Sequence, residues 1–250
     1  MSLPNAFLTR PIAHRGLHNS SRGIVENSLG AFREAIDAGY PIELDVQLSH
    51  DGDAMVFHDY DLRRLTNHNG PVRQHKAANL KEITLKNSSD TINTLPEILS
   101  EIEGRVPVII ELKDQDGAMG NDLGPLEHSV ATAVQAYHGD VAVMSFNPHS
   151  VSRLAALLPD IPRGIVTSDF NPADWPLSQN TCAILRKIPD FDRVKAQFIS
   201  HDVTDLNAPR VAEIKQTGAS VLCWTVRSEA VAREALKIAD NITFEGYLPG

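Results

Sequence analysis

Four short polar clusters stand where apolar β-type runs end: His14-Arg15-Gly16, Glu43-Leu44-Asp45, His58-Asp59 and Glu111-Leu112-Lys113. Together they offer imidazoles that titrate near neutral pH, carboxylates with hard oxygen donors, and cations that can neutralise an anion. That set suits metal-assisted attack on a phosphate ester.

The second cluster shows how the chain would hold such groups. In Ile42-Glu43-Leu44-Asp45-Val46-Gln47-Leu48 apolar and polar residues alternate, so a strand sends both acids to one face. Two ionised carboxylates side by side in a buried strand repel and lose hydration unless a cation stands between them. A hard divalent metal supplies it. The competing reading is an edge strand with its polar side in water.

The elements that must position these clusters alternate along the whole chain. Strands are predicted at Pro11–Ala13, Ile42–Val46, Pro107–Leu112, Val141–Ser145, Arg163–Val166, Gln197–Ser200, Ser220–Trp224 and Asn241–Phe244. Eight runs separated by helical stretches predict an α/β fold, a closed (β/α)8 TIM barrel, as a single domain over residues 1–250. Helices are predicted from Ser28 as cap through Ile36 with Gly39 as terminator, from Pro96 in the first turn through Ile102, and at Leu126–Tyr137, His149–Leu157, Pro209–Gln216 and Glu229–Ile238. The stretch 171–195 reads as a loop plus one short helix. The turn Ser49-His50-Asp51-Gly52 predicts a small hairpin insertion after the second strand, followed by a long polar excursion up to Ser89 that carries His58 over the barrel mouth. In such a barrel the strand C-termini build the active face, and each cluster falls there; Arg163, at a strand start, is expected to stabilise the opposite end.

Composition sets the outer bounds. The chain has 250 residues, 42% of them hydrophobic, enough for a sizeable core. A formal net charge of −9 argues against a surface that coats nucleic acid or anionic membrane, so an anionic substrate must be drawn by local positive charge. Two cysteines, Cys182 and Cys223, argue against a disulfide framework and fit a cytoplasmic protein. No apolar run reaches the length of a signal core or a membrane span, so no stable membrane anchor is expected.

The ordered set Ala13-His14-Arg15-Gly16, Glu26-Asn27-Ser28, Glu43-Leu44-Asp45-Val46, Asp51-Gly52 and Val56-Phe57-His58-Asp59 resembles the glycerophosphodiester phosphodiesterase family. The likeness continues through Leu95-Pro96-Glu97, Ile110-Glu111-Leu112-Lys113, Ser145-Phe146-Asn147-Pro148 and Cys223-Trp224-Thr225-Val226, covering nearly the whole chain. It implies a β/α barrel, a divalent cation, and hydrolysis of small-molecule glycerophosphodiesters to glycerol 3-phosphate plus an alcohol. The chain departs from the family's Thr-Asp-x-Pro-like ending, reading Ile242-Thr243-Phe244-Glu245-Gly246-Tyr247-Leu248-Pro249, which bears on the rim of the pocket, where Glu245 or Tyr247 could contact substrate.

Each chemical task then has a candidate. Glu43, Asp45 and Glu111 supply oxygens for Mg²⁺ or Ca²⁺. Arg15 offers a planar fork to a phosphate oxygen and Lys113 a point charge. His14 and His58, from different strands, can act as base and acid, with the assignment between them open. Glu26 reads either as a carboxylate near a helix start or, by the resemblance, as a further contact to metal or glycerol. Phe146 and Trp224 read either as barrel-core aromatics or as walls of the glycerol pocket. Asp59 either orients His58 or starts the loop. The remaining histidines, His18 among them, read as surface or loop residues. Two rivals stand beside the diesterase: a barrel phospholipase forming a cyclic phosphate, which the polar loop after His58 disfavours, and a non-catalytic phosphodiester-binding barrel, which would not need an acid/base pair.

Overall fold

The computed structural model describes residues 3–249. Its strands are β1 Ile12–Ala13, β2 Ile42–Leu48, β3 Ala54–Val56, β4 Val108–Leu112, β5 Val141–Ser145, β6 Arg163–Thr167, β7 Phe198–Asp202, β8 Ser220–Val226 and β9 Asn241–Phe244. All except β3 are parallel to their neighbours, and β1 pairs with both β2 and β9, which closes an eight-stranded barrel. The helices α1 Leu29–Ala38, α2 Ala77–Lys81, α3 Leu95–Ile102, α4 Leu126–Gln135, α5 Pro148–Leu157, α6 Gln179–Leu185, α7 Pro209–Gln216 and α8 Glu229–Ala235 lie between the strands in sequence. The fold is therefore the predicted (β/α)8 barrel. Among the described residues no helix is long and apolar enough to cross a membrane.

Helix ends follow local chemistry. The Ser28 hydroxyl accepts from the amide of Ala31, and Gly39, at φ 71°, closes α1 by donating back to Ala35 and Ile36. Thr94 and Glu97 form a capping box ahead of α3. Helices α4 and α8 stop at Gln135 and Ala235, two or three residues before the apolar pattern ends, because their last turns close tightly.

Two apolar layers hold the barrel. Ile42, Leu44 and Val46 of β2 point outward and pack with Phe32, Leu95 and Ile98 from the helices. Inside, Ile12, Ile109, Ala142, Val166, Phe198 and Leu222 fill the lumen, joined by Leu3 and Phe7 of the N-terminal segment. Gly164 makes room for this filling: a Cβ there would lie 2.3 Å from the Phe198 ring. Arg163 donates to the carbonyls of Leu158, Pro159 and Lys195, bracing the strand-start end as expected.

The hairpin after β2 is present, with Val46 opposite Val56 and Leu48 opposite Ala54. The excursion beyond it is more than a polar loop. Met55, Phe57, Leu62, Val72, Leu80, Ile83 and Ile92 form a core of their own beneath it, and α2 sits within it. Those apolar residues follow neither period 2 nor period 3.6, which is why the segment reads as polar. Arg63, Arg64, Asn67, His68 and Asn69 do lie exposed on its outside.

Candidate active site

Strand alternation and register assemble the site. Glu43 and Asp45 share the inward face of β2, and Asp45 is level with Glu111 on β4. One ligand oxygen from each of Glu43, Asp45 and Glu111 falls within 4.8 Å of the others. The acids are 1%, 1% and 6% exposed, so the edge-strand reading is excluded. A cavity of about 380 Å³ opens above them at the strand C-termini, lined by His14, Arg15, Glu26, Glu43, His58, Glu111, Lys113, Phe146 and Trp224. Asp45, buried behind Lys113 and Asn27, does not line it.

The charges here are unequal. Burial, with Asp45 and Glu111 adding their field, pushes the Glu43 carboxyl well above its ordinary range. Burial acts the same way on Asp45 but is overcome by Lys113, His58 and Arg15, which hold that carboxyl far below it. Lys113 Nζ lies 2.7 Å from Asp45 Oδ1 and 2.5 Å from Glu111 Oε1. Asn27 clasps Asp45 from the other side, its Nδ2 donating at 2.8 Å and its Oδ1 accepting the Asp45 amide at 3.2 Å. The Glu43 Oε2 accepts the Arg15 amide at 3.0 Å, whereas Glu43 Oε1 is buried without a hydrogen-bond partner. A buried, orphaned carboxylate oxygen between two further acids fits a hard cation.

Both imidazoles are held through Nδ1 by a carboxylate. His58 Nδ1 is 2.7 Å from Asp59 Oδ1, and Arg64 binds the same carboxylate. His14 Nδ1 is 2.5 Å from Glu245 Oε2, with its Nε2 4.0 Å from Glu43 Oε2. Burial lowers the His14 pKa, against the raising effect of Glu245.

A model of the glycerophosphoryl diester phosphodiesterase family matches residues 14–241, nearly the whole of this barrel. The chain belongs to that family. It is 30% identical over 245 residues to the glycerophosphodiester phosphodiesterase of Caldanaerobacter subterraneus, covering 94% of this chain and 93% of that one. With the enzyme of the same name from Bacillus subtilis it shares 26% identity over 98% of its own length and 85% of the relative's. Among solved structures, an Oleispira antarctica phosphodiesterase in complex with the product sn-glycerol-3-phosphate aligns with a TM-score of 0.77 at 25% identity, covering 96% and 94% of the two chains.

Within this glycerophosphodiester phosphodiesterase, the surroundings of several residues decide between the readings the sequence leaves open, and Arg64, Asn27 and His18 join them without a separate sequence signal. Glu26 is not simply a helix-start carboxylate. Burial alone would raise it, but Arg64 and Arg15 bring it from 4.5 to about 2. Arg15 NH1 donates to it at 2.6 Å and Arg64 NH1 at 2.7 Å. Asp59 does orient His58. Arg64 comes from an excursion without periodicity, and Asn27 lies in the run Glu26-Asn27-Ser28 with no separate signal. His18 is a loop residue, as read, and it also lines the cavity with its Nε2 3.6 Å from Glu245. Phe146 and Trp224 line the cavity and meet edge to face at 5.6 Å. Beyond Phe146 a second groove of about 670 Å³ continues outward past Tyr60, Met119 and Trp175, sharing His58, Glu111 and Lys113 with the inner cavity.

Proposed function

We propose that this barrel, acting as one domain, hydrolyses glycerophosphodiesters to glycerol 3-phosphate and an alcohol, with Glu43, Asp45 and Glu111 holding Mg²⁺ or Ca²⁺ and His14 and His58 working as a base and acid pair. The observation that carries this reading is the orphaned Glu43 oxygen inside a buried acid triad, flanked by two carboxylate-held imidazoles. The Oleispira enzyme's complex with sn-glycerol-3-phosphate supports the glycerophosphate half of the substrate.

When bound, a divalent cation supplies Lewis-acid polarisation of the phosphoryl group. The chain's residues do the rest. Arg15, held by Asp45 at 3.3 Å from its Nε and by Glu26, presents a planar guanidinium at the cavity wall, suited to a phosphate oxygen. Lys113, its charge kept by Asp45 and Glu111 against burial, adds positive potential between the inner cavity and the groove. His58 lines both spaces, whereas His14 lines only the inner one. That placement favours His58 as the acid that protonates an alcohol departing along the groove, and His14 as the base within. Phe146 and Trp224 bound the glycerol side and exclude water. The substrate is a small molecule, and Cys182 and Cys223, both buried free thiols, fit a cytoplasmic setting.

The test is release of glycerol 3-phosphate from choline, ethanolamine and glycerol diesters, with and without a chelator. Turnover that stops on chelation and returns with Mg²⁺ or Ca²⁺ is expected. Chelator-resistant turnover would remove the metal from the proposal, and no turnover of any diester would remove the substrate class.

A further inference from the structure

Glu245 follows β9 in the segment where the chain departs from the family pattern, and the reaction outlined above assigns it nothing. Its backbone is pinned: the Glu245 amide donates to the Val226 carbonyl at 3.0 Å, and the His14 amide donates to Phe244 next door at 3.0 Å. Carboxylate and imidazole are thus carried on two adjacent, hydrogen-bonded strand ends. The side chain is 18% exposed and turned inward. Its Oε2 meets His14 Nδ1 at 2.5 Å, while Oε1 takes Arg227 Nε at 2.9 Å. Burial would raise this carboxyl, but His14, His18 and Arg227 hold it well below the usual range, so it is an anion. An ionised carboxylate only accepts. The proton shared with it therefore belongs to Nδ1, and Nε2 is the ring nitrogen that His14 turns toward Glu43 and the cavity.

We infer that Glu245 is the positioning residue of His14, fixing its tautomer and ring direction so that Nε2 points at the reacting atoms. The inference rests on the acid and base reading above and extends it to a residue outside the motifs. His58 shows the same construction on the other side of the site: imidazole, then Asp59, then Arg64, matching imidazole, then Glu245, then Arg227. A surface ion pair alone does not explain the arrangement. Arg227 is 65% exposed and could pair with a carboxylate turned outward, yet Glu245 reaches in to an imidazole 231 residues earlier.

Three variants and one spectrum decide the matter: Glu245→Gln, His14→Ala and the double variant, assayed with Mg²⁺ on glycerophosphocholine, together with ¹⁵N chemical shifts of the imidazoles in the metal-loaded wild type. Glu245→Gln should lower kcat roughly 10- to 100-fold, the range for losing a carboxylate behind a working histidine, with KM changed less than about twofold. The double variant should be no slower than His14→Ala, since Glu245 acts through that ring. The His14 resonances should show hydrogen on Nδ1. Wild-type kcat in Glu245→Gln, multiplied losses in the double variant, or an Nε2-protonated His14 would each overturn the inference. The spectrum needs neither turnover nor a folded variant, so a wild type inactive on every diester would sink the diesterase reading while the tautomer still decides this one.

Discussion

At the scale of single residues, the decisive fact is that Glu43 and Asp45 tolerate burial by different means. Asp45 has Lys113, Arg15 and Asn27 around it; Glu43 has one amide on Oε2 and nothing on Oε1. Glu43→Gln should therefore abolish most metal-dependent turnover while leaving the metal-free melting temperature unchanged or raised, because a buried charge conflict has been removed. Calorimetry with and without Mg²⁺ checks it: the wild type should gain stability from the ion and the variant should not. For the imidazoles, His14→Ala and His58→Ala should each lose roughly 10²- to 10⁴-fold in rate. A diester with a nitrophenol leaving group should partly rescue His58→Ala and leave His14→Ala slow, since only an alkoxide needs a proton. Equal deficits on that substrate would refute separate roles. The acids and these histidines were legible because alternation and strand-end placement are local properties of sequence. Arg64, His18 and Glu245 were not, because their meaning comes from partners far along the chain.

Among elements, the eight barrel strands were readable as apolar runs with turn residues between them. The excursion after β3 reads as polar although it carries a core of its own, since Leu62, Val72, Leu80 and Ile83 are spaced by a compact irregular path instead of a repeat. Its anchorage to the barrel runs through Glu26, which receives Arg64 from the excursion and Arg15 from the end of β1. A carboxyl at about 2 in the folded chain against 4.5 unfolded contributes stability that is full above pH 4.5 and disappears as pH falls toward 2. Glu26→Gln should accordingly cost on the order of 1–3 kcal/mol near neutrality, with the gap to wild type closing in acid; a pH-independent gap in denaturant titrations would contradict the linkage. Within the lumen, Gly164→Ala would drive a methyl into Phe198 and should destabilise by about 1–3 kcal/mol, read as a drop in melting temperature with the metal-site acids untouched.

For the molecule as a whole, a net charge of −9 and a mouth rimmed by exposed Arg63 and Arg64 favour dissolved anions over a bilayer. Glycerophosphocholine should be turned over and phosphatidylcholine vesicles should not; preferential cleavage of the vesicles would promote the phospholipase reading. The barrel shape is visible in the count of strands, the short first one included, although β1 contributes only two residues to the seam of the ring. That seam has a consequence for how the protein comes into being. The ring closes only when β9 reaches β1, and the same meeting brings Glu245 to His14. During synthesis the first histidine leaves the ribosome long before its carboxylate is translated, so a growing chain can hold helices and strand pairs yet has no competent centre. A chain that ends before β9 lacks both the closed ring and the carboxylate beside His14, and is expected to be silent instead of partly active.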